Sequence, residues 1–98
     1  MSTGDRQRLR LVCRGVVQGV GFRPAVHRLA SSLGLGGFVL NGPEGVVIEV
    51  EGPDVSVGAF VERLPRSLPP LARIDGMETS AAALCGETAF SVRASQEG

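Results

Sequence analysis

The sequence predicts an α+β sandwich, in which two helices cover one face of a mostly antiparallel sheet. Three observations lead there. Apolar and polar residues alternate over 8–14, 46–51 and 71–80, as they do in half-buried strands. Two intervening stretches, Phe22 to Leu33 and Asp54 to Leu64, repeat their apolar residues at helical spacing. Counted with a short strand before the first turn and another at the end, the order is β-α-β-β-α-β plus one extra C-terminal strand. That is the split β-α-β, or ferredoxin-like, arrangement.

Residues 1–7 are polar and read as a flexible tail, 96–98 as a second one, and 8–95 as a single domain. In the first strand Leu9, Leu11 and Cys13 share one face, and Arg8, Arg10, Val12 and Arg14 mostly the other. Gly15 to Gly21 form a loop. The first helix carries Phe22, Val26, Leu29, Ala30 and Leu33 on one stripe. Pro24 falls in its first turn, where no amide is needed, and Gly34, Gly36 and Gly37 are expected to stop it. Phe38 to Leu40 begin a second strand, and Asn41-Gly42-Pro43-Glu44-Gly45 is a turn by composition.

In the third strand Val46, Ile48 and Val50 oppose Val47, Glu49 and Glu51, so a strongly β-prone window is flanked by charge. Gly52-Pro53-Asp54 opens the second helix, whose stripe is Val57, Phe60, Val61 and Leu64. Pro65, Pro69 and Pro70 end it. In the fourth strand Ala72, Ile74 and Gly76 oppose Arg73, Asp75 and Met77. The last strand is placed at Phe90–Ala94, after a loop containing Gly86.

Composition narrows the function. A chain of 98 residues supports one core. Net charge is zero, yet residues 1–43 hold six arginines and one acid, and residues 44–98 four arginines and nine acids. The basic half either favours an anionic ligand or is consumed in surface ion pairs. Cys13 and Cys85 form no C-x-x-C and there is one histidine, so a structural zinc site is not expected. The apolar stretch Leu9–Val20 is broken by Arg10 and Arg14, and no run approaches the ~20 residues of a membrane span. The expectation is a cytoplasmic protein with free thiols and no membrane partner. Nucleic acid is not expected either. An RNA-binding sheet of this topology stacks bases on aromatics of its central strands, whereas here strand one has none and strand three carries Glu49 and Glu51.

The most informative segment is Gly15-Val-Val-Gln-Gly-Val-Gly-Phe-Arg-Pro24. It is not a Walker loop, because the chain has no lysine, and the dinucleotide fingerprint lacks its third glycine. Two readings stand. One is an ordinary glycine turn beside a surface arginine. The other is a nest of amides at a helix N-terminus, with Arg23 in the first turn able to grip a phosphate through two hydrogen bonds. Topology favours looking further along the same edge. Strands one and two run parallel, so their C-terminal ends and the start of helix one lie together, and ligands of open sheets favour such an edge. Asn41 stands at the end of strand two. His27, one turn beyond Arg23, reads as a satisfied surface or core histidine.

The string G-x-V-Q-G-V-x-F-R at 15–23, then Gly37-Phe-Val-Leu-Asn41, then Gly45-Val-Val-Ile-Glu-Val-Glu-Gly52, resembles the acylphosphatase family from about Arg10 to Val92. The resemblance implies hydrolysis of carboxyl–phosphate anhydrides without metal or other cofactor. Residue by residue it implies that Arg23 and Asn41 are catalytic, and that the amides of Gln18, Gly19, Val20, Gly21, Phe22 and Arg23 bind phosphate. Pro24 after the arginine, Leu40 before the asparagine, and Pro69-Pro-Leu-Ala-Arg-Ile-Asp75 resemble one branch, the N-terminal domain of hydrogenase-maturation carbamoyltransferases. That branch implies carbamoyl phosphate as substrate. It also implies downstream domains of the same polypeptide and other maturation proteins as partners. Ala25 and Phe38 depart from its usual aromatic and tryptophan, which touches packing more than chemistry.

Overall fold

The computed structural model describes residues 5–93. Its elements are β1 (Arg6–Val16), α1 (Phe22–Ser32), β2 (Gly36–Gly42), β3 (Gly45–Pro53), α2 (Asp54–Arg63), a 3-10 turn (Leu64–Arg66), β4 (Arg73–Ala82) and β5 (Phe90–Val92). The strands form one sheet in the order β4-β1-β3-β2-β5. Every neighbouring pair is antiparallel except β2 and β5, which run parallel. β1 and β2 both oppose the β3 between them, so they point the same way and end on the edge where α1 begins. This is the ferredoxin-like sandwich with an extra C-terminal strand that the sequence predicts.

The core lies between the sheet and the helices. Leu11 and Cys13 of β1, Val39 of β2, and Val46, Ile48 and Val50 of β3 meet Phe22, Val26 and Leu29 of α1 and Val57 and Phe60 of α2. Each large side chain so buried stabilises the fold by roughly 1.5–3 kcal/mol. α1 stops because Gly34 N–H donates to the Ser31 carbonyl and Leu35 N–H to the Ala30 carbonyl, a paired closure that uses up helix-end acceptors. α2 has Asp54 in its first turn and Arg63 in its last, each complementing the helix dipole. No helix is long and apolar enough to cross a membrane among the described residues.

Several details differ from the sequence-based expectations. Arg6 and Gln7, assigned to the tail, belong to β1 and pair with Pro53 and Gly52. Gly36 and Gly37, expected to terminate helix one, lie inside β2. The reason is close approach: a Cβ on Gly36 would sit 2.2 Å from the Glu87 carbonyl oxygen, and one on Gly37 1.9 Å from that of Glu49. Met77 packs toward the core together with Ile74 instead of opposing it. The β1–β4 register shifts between Arg14 and Gly15, leaving Asp75 as an extra residue that returns Met77 to the inner face. The last strand ends at Val92, and its expected end at Ala94 lies outside the described residues.

The largest difference concerns Arg8, expected on a mixed polar face and found 3% exposed. The sheet face away from the helices is partly covered by the segment linking β4 to β5. Beneath it Arg8 donates to Glu51 at 2.8 Å, to Glu87 at 2.8 Å and to Glu49 at 2.5 Å. Burial works against the charged guanidinium, but the three carboxylates outweigh it, so its pKa is raised. Arg10 pairs with Glu49, and Arg14 with Glu44 and Glu78. The charge asymmetry along the sequence is therefore partly cancelled in space, because antiparallel pairing sets Arg8, Arg10 and Arg14 against acids of the second half.

Gly37 offers a direct test of β2 packing. It has φ +128°, in the region that side chains rarely adopt, and no room for a Cβ against Glu49. Gly37→Ala is expected to cost more than about 2 kcal/mol, combining backbone strain with displacement of β3. Urea unfolding of the variant beside wild type measures it.

Candidate active site

The loop after β1 is pinned from beneath. Val17 is buried, Val20 packs against the core, and Phe22 lies within it. Between these anchors Gln18, Gly19 and Gly21 remain exposed. Gly19 and Gly21 have φ of 72° and 80°, left-handed conformations suited to glycine. Such turns aim successive amides at one point. Pro69 backs the loop, 3.4 Å from where a Gly21 Cβ would stand.

These amides are unspent. Gly21 is the N-cap of α1 and makes no side-chain cap hydrogen bond, and the first turn holds no acidic residue. Among the described residues, the amides from Gln18 to Arg23 donate to no main-chain carbonyl; the first such bond is from Ala25 N–H to the Gly21 oxygen. Helix N-termini left in this condition favour an anion. Arg23 is half-buried in the first turn. The ion pairs of the described residues engage arginines of the sheet, of the 3-10 turn and of the C-terminal segment, but not Arg23.

The register places Asn41. It pairs with Val46 of β3, which pairs with Cys13 of β1. Residues directly opposite across strands share a face, so Asn41 turns toward the helix layer as Val46 and Cys13 do. Two strand spacings, about 10 Å, separate it from Cys13, just before the loop. Its Oδ1 is shielded from solvent. Asn41 and the start of α1, with Arg23, thus share one edge and one side of the sheet.

The other polar candidates lie elsewhere or are inert. His27 turns toward β5, its ring 6.1 Å from that of Phe90. Cys13 and Cys85 are both free. Burial pushes the Cys13 thiol up to about 11, so it supplies no thiolate at neutral pH. Ala25 borders a surface hollow of ≈ 280 Å³ between α1 and Ser67. Phe38 lies on the opposite face of the sheet, with the Arg93 guanidinium 4.0 Å from its ring centre.

A cleft of ≈ 550 Å³ opens beside the loop, walled by residues 14–18 on one side and Pro43, Glu44 and Gly45 on the other. The anchoring valines and this cleft were not singled out by sequence reasoning. Val17 and Val20 inside a glycine-rich loop are the visible signal for the anchors. The cleft has none, since its walls meet only through the sheet.

Comparison with known proteins decides the family: the Acylphosphatase family model matches residues 9–92. The chain belongs to the acylphosphatase family. The carbamoyltransferase HypF of Rhizobium leguminosarum bv. viciae is 47% identical over 92 residues, covering 94% of this chain and 12% of that protein. An acylphosphatase of Anaeromyxobacter dehalogenans is 44% identical over 91 residues, covering 91% of this chain and 97% of that one. The crystal structure of full-length HypF in the phosphate- and nucleotide-bound form superimposes with a TM-score of 0.90 at 31% identity, over 99% of this chain and 13% of that one. This acylphosphatase domain thus spans about an eighth of the HypF relatives and nearly the whole of the Anaeromyxobacter enzyme.

Proposed function

We propose that the domain hydrolyses acyl phosphates, with carbamoyl phosphate as its physiological substrate, as the N-terminal domain of a nickel–iron hydrogenase-maturation carbamoyltransferase. The observation that carries the hydrolytic part is the open start of α1: no acidic residue in the first turn and, among the described residues, amides that donate to no main-chain carbonyl and an arginine in no ion pair. The stronger similarity to HypF carbamoyltransferases supports the substrate and the larger assembly.

In this mechanism the amides of Gln18 to Arg23 and the Arg23 guanidinium hold the phosphate oxygens, and the Asn41 carboxamide orients a water against phosphorus. The water oxygen bonds to phosphorus as the phosphorus–oxygen bond to the acyl group breaks, and the electron pair leaves on a carboxylate or carbamate. Such leaving groups are already good, so the protein needs no strong general acid. Catalysis rests on positioning and on charge stabilisation.

Asn41→Ala is expected to lower kcat on benzoyl phosphate about 10²-fold, the effect of losing alignment of one reactant. The inhibition constant for orthophosphate should change little. Steady-state rates with orthophosphate as competitor give both numbers. A wild-type protein that binds orthophosphate and turns over neither benzoyl nor carbamoyl phosphate would instead be a binding module serving neighbouring domains. One that does neither would refute the assignment.

A further inference from the structure

We infer that the cleft between residues 14–18 and Pro43–Gly45 receives the leaving group, and that Glu44 on its wall selects against acyl groups bearing negative charge. The inference rests on the phosphate site proposed above and extends it to specificity.

Continuity is the first argument. The cleft and the amide loop share Gln18, and the other wall begins two residues after Asn41. A substrate with its phosphate in the loop has this space as its neighbour. Direction is the second. Displacement at phosphorus is in line, so the leaving group departs away from the attacking water. Asn41 faces the helix layer, in one row with Val46 and Cys13. Arg14 follows Cys13 directly and so faces the other side, where it meets Glu78 of β4. A water held by Asn41 therefore sends the leaving group toward the side of the edge where Arg14 and Glu44 stand.

Charge is the third argument. Arg14 and Glu44 are the charged residues of the cleft wall, 3.5 Å apart, and Arg14 is drawn equally to Glu78 at 3.5 Å. Glu78 stands outside the cleft and shares the guanidinium, so Glu44 on the cleft wall is only partly neutralised. Neutral acyl groups, carbamoyl among them, meet a donor in Arg14 and an acceptor in Glu44. An acyl group ending in a carboxylate meets Glu44 as a like charge. The Glu44 side chain is 80% exposed, so its repulsion must be of the screened, aqueous kind.

The test compares kcat/KM on succinyl phosphate, which carries a carboxylate tail, with that on benzoyl phosphate, which does not. Glu44→Gln is expected to raise the succinyl-to-benzoyl ratio about fivefold, the effect of one unit charge a few ångströms away in water. Glu44→Lys should raise it further. The wild-type ratio should climb with added salt and the Glu44→Gln ratio should not. Because the readout is a ratio, any loss of folded protein cancels. A ratio unchanged in both variants, while wild type hydrolyses both substrates, overturns the leaving-group assignment alone. Failure of wild type to hydrolyse either substrate overturns the acyl phosphatase reading beneath it.

Discussion

Arg23→Gln is expected to lower kcat/KM on benzoyl phosphate by about 10²–10³-fold, the range for losing one preorganised donor to developing charge. It should also abolish competitive inhibition by orthophosphate. The guanidinium presents a charged, planar fork of donors that matches two phosphate oxygens, and glutamine offers only a single neutral amide nitrogen at shorter reach. Arg23→Lys keeps the charge and loses the fork, so it should fall between the two. Stability is not at stake. Arg23 is half-buried, has no ion-pair partner among the described residues, and stands outside the apolar stripe of α1. Its replacement should shift unfolding by less than about 0.5 kcal/mol. Equal kcat/KM for wild type, glutamine and lysine variants would show that the amides alone hold the phosphate, and would remove Arg23 from the site.

The elements that place this site were legible because each rests on a local pattern. The stripe Phe22, Val26, Leu29 makes α1, and the change from strand to helical period at Phe22 marks where the amides open. The parallel course of β1 and β2 follows from the helix between them, and that alone puts Asn41 on the same edge as the loop. What was not legible depends on contacts between segments distant in sequence. The extra residue at Asp75 is invisible to period counting, because one inserted residue in ten looks like noise, yet it reverses the face of Met77. Gly36 and Gly37 read as a helix stop by composition. They are strand because the backbones of Glu87 and Glu49 crowd them. Arg8 and Glu51 read as polar alternation. Their burial comes from the 83–89 segment, whose sequence has no period of its own. The cleft beside the loop belongs to the same class, since Arg14 and Glu44 meet only once β1 and β3 have paired.

That buried face leads to the largest expected effect on stability. Glu51 is 1% exposed and accepts from Arg8 at 2.8 Å, from the Cys85 amide at 2.9 Å and from the Gly86 amide at 2.8 Å. It thus ties the chain before β5 to the centre of the sheet. Glu51→Ala leaves two amides without their acceptor and Arg8 short of a carboxylate in a buried place, at an expected cost of about 3–5 kcal/mol. Adding Arg8→Met should recover little of that loss, because the two amides stay without an acceptor and Glu49 and Glu87 then lose a donor as well. A double-mutant cycle in urea gives the coupling.

The same site predicts acid sensitivity. The Cys85 amide most of all, then Arg8 and the Gly86 amide, hold the Glu51 carboxyl below its ordinary value of 4.5 against the opposing effect of burial. A carboxyl depressed on folding contributes stability that is complete above that ordinary value and is lost as pH falls through the lowered one. Wild type should therefore lose stability below about pH 4.5, whereas Glu51→Gln, which binds no proton there, should show a shallower slope. Identical slopes would mean that the 83–89 segment is held by something other than this carboxylate.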